Sequence, residues 1–238
     1  MKIRSIKDIG KALEVISNPH AKLSFSSFGE DLVCAAILKK HLNERVGFYV
    51  DVGCHHPFRA SNTALFYMQG WQGINIDADL EAIKFFDQFR PRDINIAKAI
   101  GANKREGFFY KFKDLPAVNT LSNSMAIKQS KNFKQDFITE KLEIVTLGEI
   151  LENNLQSGKL IDLLTIDAEG LDLEVISGLD FDKYRPLCII IEDFTFDFSS
   201  PNGSSIYSHL IKNNYKLIAR CYVSSIFISS QIHRRESV

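Results

Sequence analysis

The chain has 238 residues, 45% of them hydrophobic, which suits a single domain with one sizeable core. Lysine plus arginine and aspartate plus glutamate each total 29, so the formal net charge is zero and we expect no nucleic-acid partner. No apolar run reaches the length of a membrane span, and the residues after Met1 lack the apolar stretch of a signal peptide. The four cysteines show no paired short spacing. Together these features indicate a cytoplasmic protein with reduced thiols.

Strands and helices alternate along the first half of the chain. Residues 1–25 predict a short helix and an irregular lead-in, after which Ser27 and Glu30 have the spacing of a capping box for the next helix. The patterns then predict strands over 48–52, 74–76, 94–100 and 107–112, and helices over 63–69 and 80–89. Residues 113–136 are polar and mixed, and a connection of this length predicts a functional or mobile loop.

The second half continues the alternation and ends in a hairpin. The predicted strands are 142–145, 161–166, 187–191, 215–222 and 225–228, and the predicted helices are 147–155, 171–179 and 206–212. The last two strands must be antiparallel, because so short a link cannot cross over. Buried strands that alternate with amphipathic helices predict a mostly parallel α/β sheet with helices on both faces. We find no repeat or linker, so residues 1–238 are interpreted as one domain with its core at 26–230.

Acidic residues stand where several of the predicted parallel strands end. Asp51 and Gly53 close the first strand, Asp77 closes the second, and Asp167 follows the strand at 161–166. Ligands of open parallel sheets bind at this edge, near the point where the strand order reverses. A single acid here is more simply interpreted as a helix cap, but the matched positions together favour a binding site for a nucleoside-bearing cofactor.

The residues after Gly53 decide which cofactor is expected. A nicotinamide site would require Gly-x-Gly-x-x-Gly, so that a pyrophosphate could rest on a helix N-terminus. Here one glycine is followed by Cys54-His55-His56-Pro57, and these bulky residues occupy the phosphate position. The pattern therefore favours a cofactor without a pyrophosphate, S-adenosylmethionine, with its ribose at Asp77 and its amino-acid end near Asp51 and Gly53.

Seven short motifs, in this order and spacing, resemble the FkbM family of S-adenosylmethionine-dependent methyltransferases. They are Ser26-x-Phe28-Gly29-Glu30-Asp31, Phe48-Tyr49-Val50-Asp51-Val52-Gly53-x-His55-His56-Pro57, Ser61-Asn62-Thr63, Gly70-Trp71-x-Gly73-Ile74-Asn75-Ile76-Asp77-Ala78, Asn119-Thr120, Ile166-Asp167-x-Glu169-Gly170-x-Asp172-x-Glu174-Val175 and Ile191-Glu192. The resemblance implies a Rossmann-like class I methyltransferase fold, a seven-stranded sheet with the last strand antiparallel. It also implies methyl transfer, often to oxygen on sugars or natural products. One departure is Ser27, where the family commonly has glutamine.

The resemblance also implies roles for individual residues. Asp51 and Gly53 match the cofactor loop, Asp77 matches the ribose-binding acid, and Asp167 and Glu169 match the motif at the edge of the substrate pocket. The full set of predicted cofactor contacts is Asp51, Gly53, Cys54, Ser61, Asn62, Asp77, Ala78, Asn119, Asp167 and Glu169. Ser61 and Asn62 are equally well interpreted as a helix cap.

His55 and Asp167 are the candidate catalytic residues, each as an acceptor for the proton of the substrate. His56 is a weaker candidate, since it can instead pack against Pro57. Alternatively, His55, Asp167 and Glu192 together could ligate a divalent cation, but without tight ligand spacing no metal is favoured.

The favoured hypothesis is a cytoplasmic methyltransferase that O-methylates a saccharide or a related small polar metabolite. Its acceptor specificity is expected to lie in residues 113–136 and 194–204. One alternative is an oxidoreductase with an NAD-type cofactor on the same topology, because a fold does not dictate its chemistry. Another is a binding module that keeps the cofactor pocket without catalysis.

Overall fold

The structure, a computed structural model, describes residues 20–231. The predicted N-terminal helix falls within residues 1–19, outside the described residues, and the assignment of the whole chain to one domain stays a prediction. The strands are β1 (Phe48–Val52), β2 (Gln72–Asp77), β3 (Ile94–Ala97), β4 (Ala99–Ile100), β5 (Arg105–Phe112), β6 (Phe137–Val145), β7 (Leu163–Ile166), β8 (Cys188–Glu192), β9 (Tyr215–Cys221) and β10 (Ser224–Ser229). The helices are α1 (Glu30–Leu38), α2 (Ala64–Met68), α3 (Leu80–Phe89), α4 (Asn123–Phe133), α5 (Leu147–Asn154), α6 (Asp172–Ser177) and α7 (Ser205–Lys212).

The main sheet has seven strands in the order β3-β2-β1-β7-β8-β10-β9. The strands from β3 to β8 pair in parallel, whereas β10 is antiparallel to both of its neighbours. This arrangement confirms the predicted fold class, including the terminal hairpin. The strand order reverses between β1 and β7, because the chain builds outward from β1 to β3 and then starts again on the other side.

The main sheet is buried on both faces, as its apolar strands predict. Val50 and Ile74 pack on one face against apolar side chains of α5, α6 and α7. Tyr49 and Leu163 point to the other face, where they pack with side chains of α1 and α2, including Phe66. Successive residues of a strand point to opposite faces, so each central strand contributes to both cores.

The predicted strand over 94–100 is wrong as a single element. It divides at Lys98, after which the chain leaves the main sheet and β4 joins a separate sheet of order β4-β6-β5. The Lys98 N–H still donates to the Asp77 carbonyl at 2.9 Å, but Ala99 and Ile100 pair with Ile144 and Val145 of β6. A continuous apolar pattern does not show which neighbouring strand each residue will meet.

The interpretation of residues 113–136 as one long loop is also wrong in part. Helix α4 occupies Asn123–Phe133, and the Ser122 side chain caps it by accepting from the Met125 N–H. Only Ala126 of this helix is buried, so its sequence carries little helical periodicity. Strand β6 likewise begins at Phe137, five residues before its predicted start, because its exposed first half is held only by pairing with β5.

The predicted capping box before α1 does not form. The helix begins at Glu30 after Gly29, which has a φ of 86° and takes the cap position without a side-chain hydrogen bond. Glu30 Oε2 accepts instead from the Phe28 N–H at 2.8 Å, and Ser27 stays exposed. The left-handed glycine turns the chain at the position where a capping serine would need an extended backbone.

The four cysteines are free, and three of them are buried. Across residues 20–231, none of the helices is long and apolar enough to cross a membrane.

Candidate active site

A cavity of about 290 Å³ opens at the carboxyl edge of the main sheet, beside the reversal of strand order between β1 and β7. Gly53, Asp77, Asp167 and Glu192 line it from the ends of β1, β2, β7 and β8. The small sheet contributes Phe109, and the segment before α4 crosses the opposite side. Ligands of open α/β sheets bind at this position.

The cavity brings together most, but not all, of the residues that the sequence nominated. Those that line it are Gly53, His55, Asp77, Ala78, Asn119, Asp167 and Glu169. Asp51, Cys54, Ser61 and Asn62 are not among its lining residues. The role of each residue toward a ligand stays a prediction, but the second group has structural contacts that account for it, described below.

Gly53 is required where β1 meets β7. Its φ is 77°, and a Cβ atom at this position would lie 1.8 Å from the carbonyl oxygen of Asp167. The close neighbour is thus the backbone of the adjacent strand end, so the glycine lets β1 and β7 converge beneath the cavity.

Asp77 is held by two backbone donors. Its Oδ2 accepts from the His55 N–H at 2.9 Å and its Oδ1 accepts from the Asp79 N–H at 2.7 Å. Burial raises the pKa of Asp77 to about 6, against the opposing effect of these two hydrogen bonds. Each carboxylate oxygen keeps a second lone pair, so the oriented group can still accept from the hydroxyls of a ribose.

Asp51 belongs to a buried network centred on Arg90, a residue that sequence reasoning missed. The Arg90 guanidinium donates to Thr63 Oγ1 at 2.7 Å, to Ser61 Oγ at 2.9 Å and to the carbonyl of Pro57. Thr63 Oγ1 in turn donates to Asp51 Oδ2 at 2.6 Å. Burial raises the pKa of Asp51 to about 6. The network therefore connects Asp51 and Ser61 to the loop after β1. No pattern in the neighbouring sequence indicates that an arginine at a helix end would be its centre.

Cys54 and Asn62 also lie behind the cavity wall. The Cys54 side chain is buried and packs with Ile83 and Phe86 of α3. The Asn62 amide donates to Thr165 Oγ1 at 3.0 Å, which connects the loop after β1 to β7. These contacts make both residues supports of the cofactor loop.

The two histidines have different surroundings. His55 lines the cavity, with Nε2 3.2 Å from the Arg59 guanidinium, and burial together with Arg59 lowers its pKa. A lowered pKa keeps the imidazole neutral near pH 7, the form that accepts a proton. His56 Nδ1 accepts from the N–H groups of Phe58 and Arg59 at 3.1 and 3.0 Å. His56 therefore caps its own loop, consistent with the structural interpretation of this residue.

Three carboxyl groups line the cavity on the β7–β8 side. Asp167 is open to the cavity, and partial desolvation there, followed by the charges of Glu192 and Glu169, raises the pKa of its carboxyl above the usual range. Burial raises the pKa of Glu169 to about 7, with a smaller contribution from Asp172. Burial likewise raises the pKa of Glu192, whose Oε2 is buried without a hydrogen-bond partner in the described part of the chain. A buried carboxylate oxygen without a donor is unfavourable unless a ligand supplies one.

A segment of the long connection closes the cavity and touches both sides of it. Asn119 donates to Asp79 Oδ2 at 3.2 Å and accepts from the Phe112 N–H at 2.8 Å. Thr120 Oγ1 donates to the carbonyl oxygen of Glu169 at 2.8 Å. The segment is thus fixed by hydrogen bonds to β5, to the Asp77 side and to the Asp167 side.

The same lining was tested for a metal and for S-adenosylmethionine. Within residues 20–231, no group of three or more histidine, cysteine, aspartate or glutamate side chains is placed to hold a metal ion, so the geometry does not support the alternative of His55, Asp167 and Glu192 as ligands. The residues fit the methyl donor better. Asp77 suits a ribose diol, and the uncompensated carboxyls of Asp167 and Glu192 suit a ligand with positive charge.

An open α/β sheet with acids at its strand ends and a cavity at its switch point is the arrangement in which many α/β proteins bind a nucleoside cofactor. Residues 51–217, well over half of the chain, match the family described as Methyltransferase FkbM domain. The chain therefore belongs to the FkbM methyltransferase family. It is an S-adenosylmethionine-dependent methyltransferase, and the alternative of an NAD-type oxidoreductase is set aside.

The other comparisons are distant or negative. No curated protein matches the chain significantly. The solved structure of a TehB-like SAM-dependent methyltransferase from Corynebacterium glutamicum is similar with a TM-score of 0.42 and 10% identity, over 94% of this chain and 97% of that one. Because this similarity is so distant, the family assignment rests on the sequence match alone.

Proposed function

We propose that this methyltransferase O-methylates a hydroxyl group of a saccharide or a related small polar metabolite in the cytoplasm, with no nucleic-acid partner. The observation that carries the proposal is the buried Oε2 of Glu192, which has no donor within residues 20–231 and lies on the cavity wall with Asp167 and Glu169. Hydroxyl groups are neutral donors that can satisfy such oxygens, and a saccharide presents several of them on one small body.

The charge of the cavity argues against an anionic acceptor. Burial, followed by repulsion from Asp172 and Glu169, raises the pKa of Glu192, so the β7–β8 side disfavours additional negative charge. A phosphate or carboxylate group placed there would add to this repulsion. The zero net charge of the chain also gives no electrostatic attraction to nucleic acid as a whole.

The bound cofactor supplies an electrophilic methyl group on a positively charged sulfur. The remaining work belongs to the chain, which must orient the acceptor hydroxyl, exclude water and accept one proton. Asp167 and His55 stay the two proposed proton acceptors, and Glu192 is the proposed hydrogen-bond acceptor that orients the hydroxyl. The segment fixed by Asn119 and Thr120 limits the access of water.

The proposal is tested by incubating the protein with S-adenosylmethionine labelled on its methyl group and fractionated cell extract. We expect label in the saccharide or small polar metabolite fraction, in a bond that resists mild acid as a methyl ether does. Label confined to protein, nucleic acid or lipid would refute the proposal. Binding of S-adenosylmethionine without transfer to any fraction would favour the non-catalytic alternative.

Glu192→Gln supplies the matched variant for this assay. It keeps the size of the side chain, so calorimetric affinity for S-adenosylmethionine should stay near that of the wild type, whereas transfer should fall about tenfold, because an amide oxygen is a weaker acceptor than a carboxylate. Glu106→Gln is the control, since Glu106 is an exposed acid on β5 that pairs with Lys141. Equal transfer by both variants would remove Glu192 from the proposed site.

The pH profile separates the two proposed proton acceptors. If Asp167 accepts the proton, the rate should rise with pH well above the range in which an ordinary aspartate titrates, because its pKa is raised. If His55 accepts it, the rate should already be maximal at neutral pH and fall only in mild acid, because its pKa is lowered.

A further inference from the structure

Two aromatic rings stand exposed beside the cavity. Phe28 is 50% exposed and Tyr222 is 76% exposed, although they belong to distant parts of the sequence. Their ring centroids are 4.9 Å apart with an interplanar angle of 60°. We call these two residues the aromatic pair. An aromatic pair that buries so little of its surface contributes less to the fold than a core pair would.

The backbone connects the aromatic pair to residues of the cavity wall. Ser27, which precedes Phe28, lines the cavity. Tyr222 lies in the two-residue connection between β9 and β10, and the first residue of β10, Ser224, pairs with Glu192 across the sheet. The pair is therefore continuous with the cavity wall that carries the unpartnered carboxylate oxygen.

Glu30 holds the two members of the pair in place. Its carboxylate is buried, with Oε2 accepting from the Phe28 N–H at 2.8 Å and Oε1 accepting from Ser224 Oγ at 3.0 Å. A single buried side chain thus joins the segment before α1 to the start of β10. This arrangement keeps the two rings oriented before any ligand arrives, which reduces the entropy lost on binding.

The backbone of Tyr222 is unusual for its residue type. Its φ is 52°, in the left-handed region that glycine and asparagine adopt most easily. A tyrosine in such a tight connection carries a conformational cost, and the exposure of the ring leaves little burial to offset it. A ligand that covers the ring would provide the missing contact.

We propose, resting on the proposed function, that the aromatic pair is the acceptor subsite, where Phe28 and Tyr222 pack against the apolar face of a sugar ring while hydroxyls of that ring reach Glu192. The C–H face of a pyranose is flat and apolar, so it packs on aromatic rings, and its edge carries the hydroxyls that the carboxylate needs. The continuity of the pair with the acidic wall favours this occupant over a purely apolar one. The pair itself takes no part in the transfer of the methyl group.

The test measures saccharide binding directly. Binding of the methyl glycosides of glucose, mannose, galactose and rhamnose is measured by saturation-transfer NMR and titration. S-adenosylhomocysteine is present throughout. Tyr222→Asn suits the left-handed backbone, so it removes the ring without straining the turn. We expect Tyr222→Asn and Phe28→Ala each to bind the best glycoside about five- to tenfold more weakly, with unchanged affinity for S-adenosylhomocysteine.

Phe108→Ala is the control. Phe108 is 52% exposed on β5, and it points away from the cavity because its neighbour Phe109 lines the cavity. Unchanged glycoside affinity in Tyr222→Asn and Phe28→Ala would overturn the subsite while leaving the proposed function intact. Failure of the wild-type protein to bind any glycoside would overturn the subsite, and the labelled-methyl assay would then show whether the proposed function fails with it. A concentration-dependent dimer in sedimentation that both variants abolish would show that a second copy covers the pair, which would also overturn the subsite.

Discussion

The acids on the two sides of the cavity differ in their hydrogen bonding. On the β1–β2 side, Asp51 and Asp77 each receive hydrogen bonds from the protein itself. On the β7–β8 side, Glu192 has a buried oxygen with no donor among residues 20–231 and repels its neighbours Asp167 and Glu169. Buried polar groups with hydrogen-bond partners in the fold contribute to stability and orientation, whereas a buried group without a partner is unfavourable unless a ligand supplies one. The fold therefore orients the acids of the first side, whereas on the second side the proposed function assigns the missing donor to the substrate.

The difference arises from the loops that follow the strands. After β1 and β2 the chain turns back so that its N–H groups and hydroxyls point at the acids. After β8 the chain continues into Asp193, and the hydroxyls of Ser204 and Thr195 donate to the carboxylate of Asp193. They therefore do not serve as donors to Glu192. The same residue type at the same sheet edge can thus support the fold or bind a ligand, depending on the donors nearby.

The largest expected effect concerns the network beneath the satisfied side. Arg90→Ala should lower the free energy of unfolding by about 3 kcal/mol, because it removes a buried guanidinium and leaves its acceptors without donors. Urea denaturation measures this change. Arg92→Ala is the control, since Arg92 is exposed yet also lies over the Tyr67 ring, and it should cost less than about 1 kcal/mol. Equal losses in the two variants would contradict the central position of Arg90.

Asp77→Ala should weaken the binding of S-adenosylmethionine by about 1–3 kcal/mol, the cost of losing hydrogen bonds to a charged acceptor. Isothermal titration calorimetry gives the affinity, and thermal unfolding shows whether the loss of the two backbone contacts alters the fold. Glu81→Ala, an exposed acid early in α3, should leave the affinity unchanged. Unchanged affinity in Asp77→Ala would move the ribose away from this side of the cavity.

The buried acids predict how stability changes with pH. The pKa values of about 6 for Asp77 and about 7 for Glu169 lie above those of the unfolded chain, so the folded protein binds protons more tightly. This stability is fully present below the unfolded pKa values and is lost as the pH rises through the folded ones. Between about pH 5 and pH 8, the free energy of unfolding of the ligand-free protein should fall by about 1 kcal/mol or more.

Denaturation at several pH values measures this slope, and Glu169→Gln should reduce it. The cofactor adds a second observable, because a positively charged ligand favours the ionised carboxyls. Binding of S-adenosylmethionine should therefore release protons, which calorimetry in buffers of different ionisation enthalpy detects. Stability that rises with pH over this range would contradict the raised pKa values.

The smallest effect is expected at Cys54. Cys54→Ala should change the affinity for S-adenosylmethionine by less than about twofold, since the thiol packs with Ile83 and Phe86 behind the cavity wall. It should lower the free energy of unfolding by about 1 kcal/mol through lost packing. Calorimetry and urea denaturation separate the two effects. A large loss of affinity with an unchanged free energy of unfolding would indicate that Cys54 contacts the cofactor directly.

Much of the fold follows from local pattern. The predicted helix over 80–89 and strand over 48–52 have the bounds that the structure gives to α3 and β1. Both elements carry strong periodicity or a continuous apolar run, so local interactions and burial favour the same structure. Helix α4 is missed because it is largely exposed, and the strand over 94–100 is not divided because a single lysine between apolar residues does not show that the chain changes sheets there.

The candidate site was partly predictable for a related reason. Acids at the ends of parallel strands converge on one sheet edge whatever the details of the loops, so Asp77 and Asp167 could be placed together from sequence. The hydrogen bonding of Asp51 could not be predicted, because it depends on Thr63 and Arg90, which approach from other elements. The sequence likewise does not predict that Glu192 has an oxygen without a hydrogen-bond donor among the described residues.

The sequence by itself determined the α/β class, the terminal hairpin, the family and the edge of the sheet where the site lies, because these depend on short-range periodicity and on motifs that are contiguous in the chain. Only the tertiary structure decided which acids face the cavity, which acids the fold satisfies, and that Phe28 meets Tyr222. These depend on contacts between residues far apart in the chain, and such contacts are set by how whole elements pack.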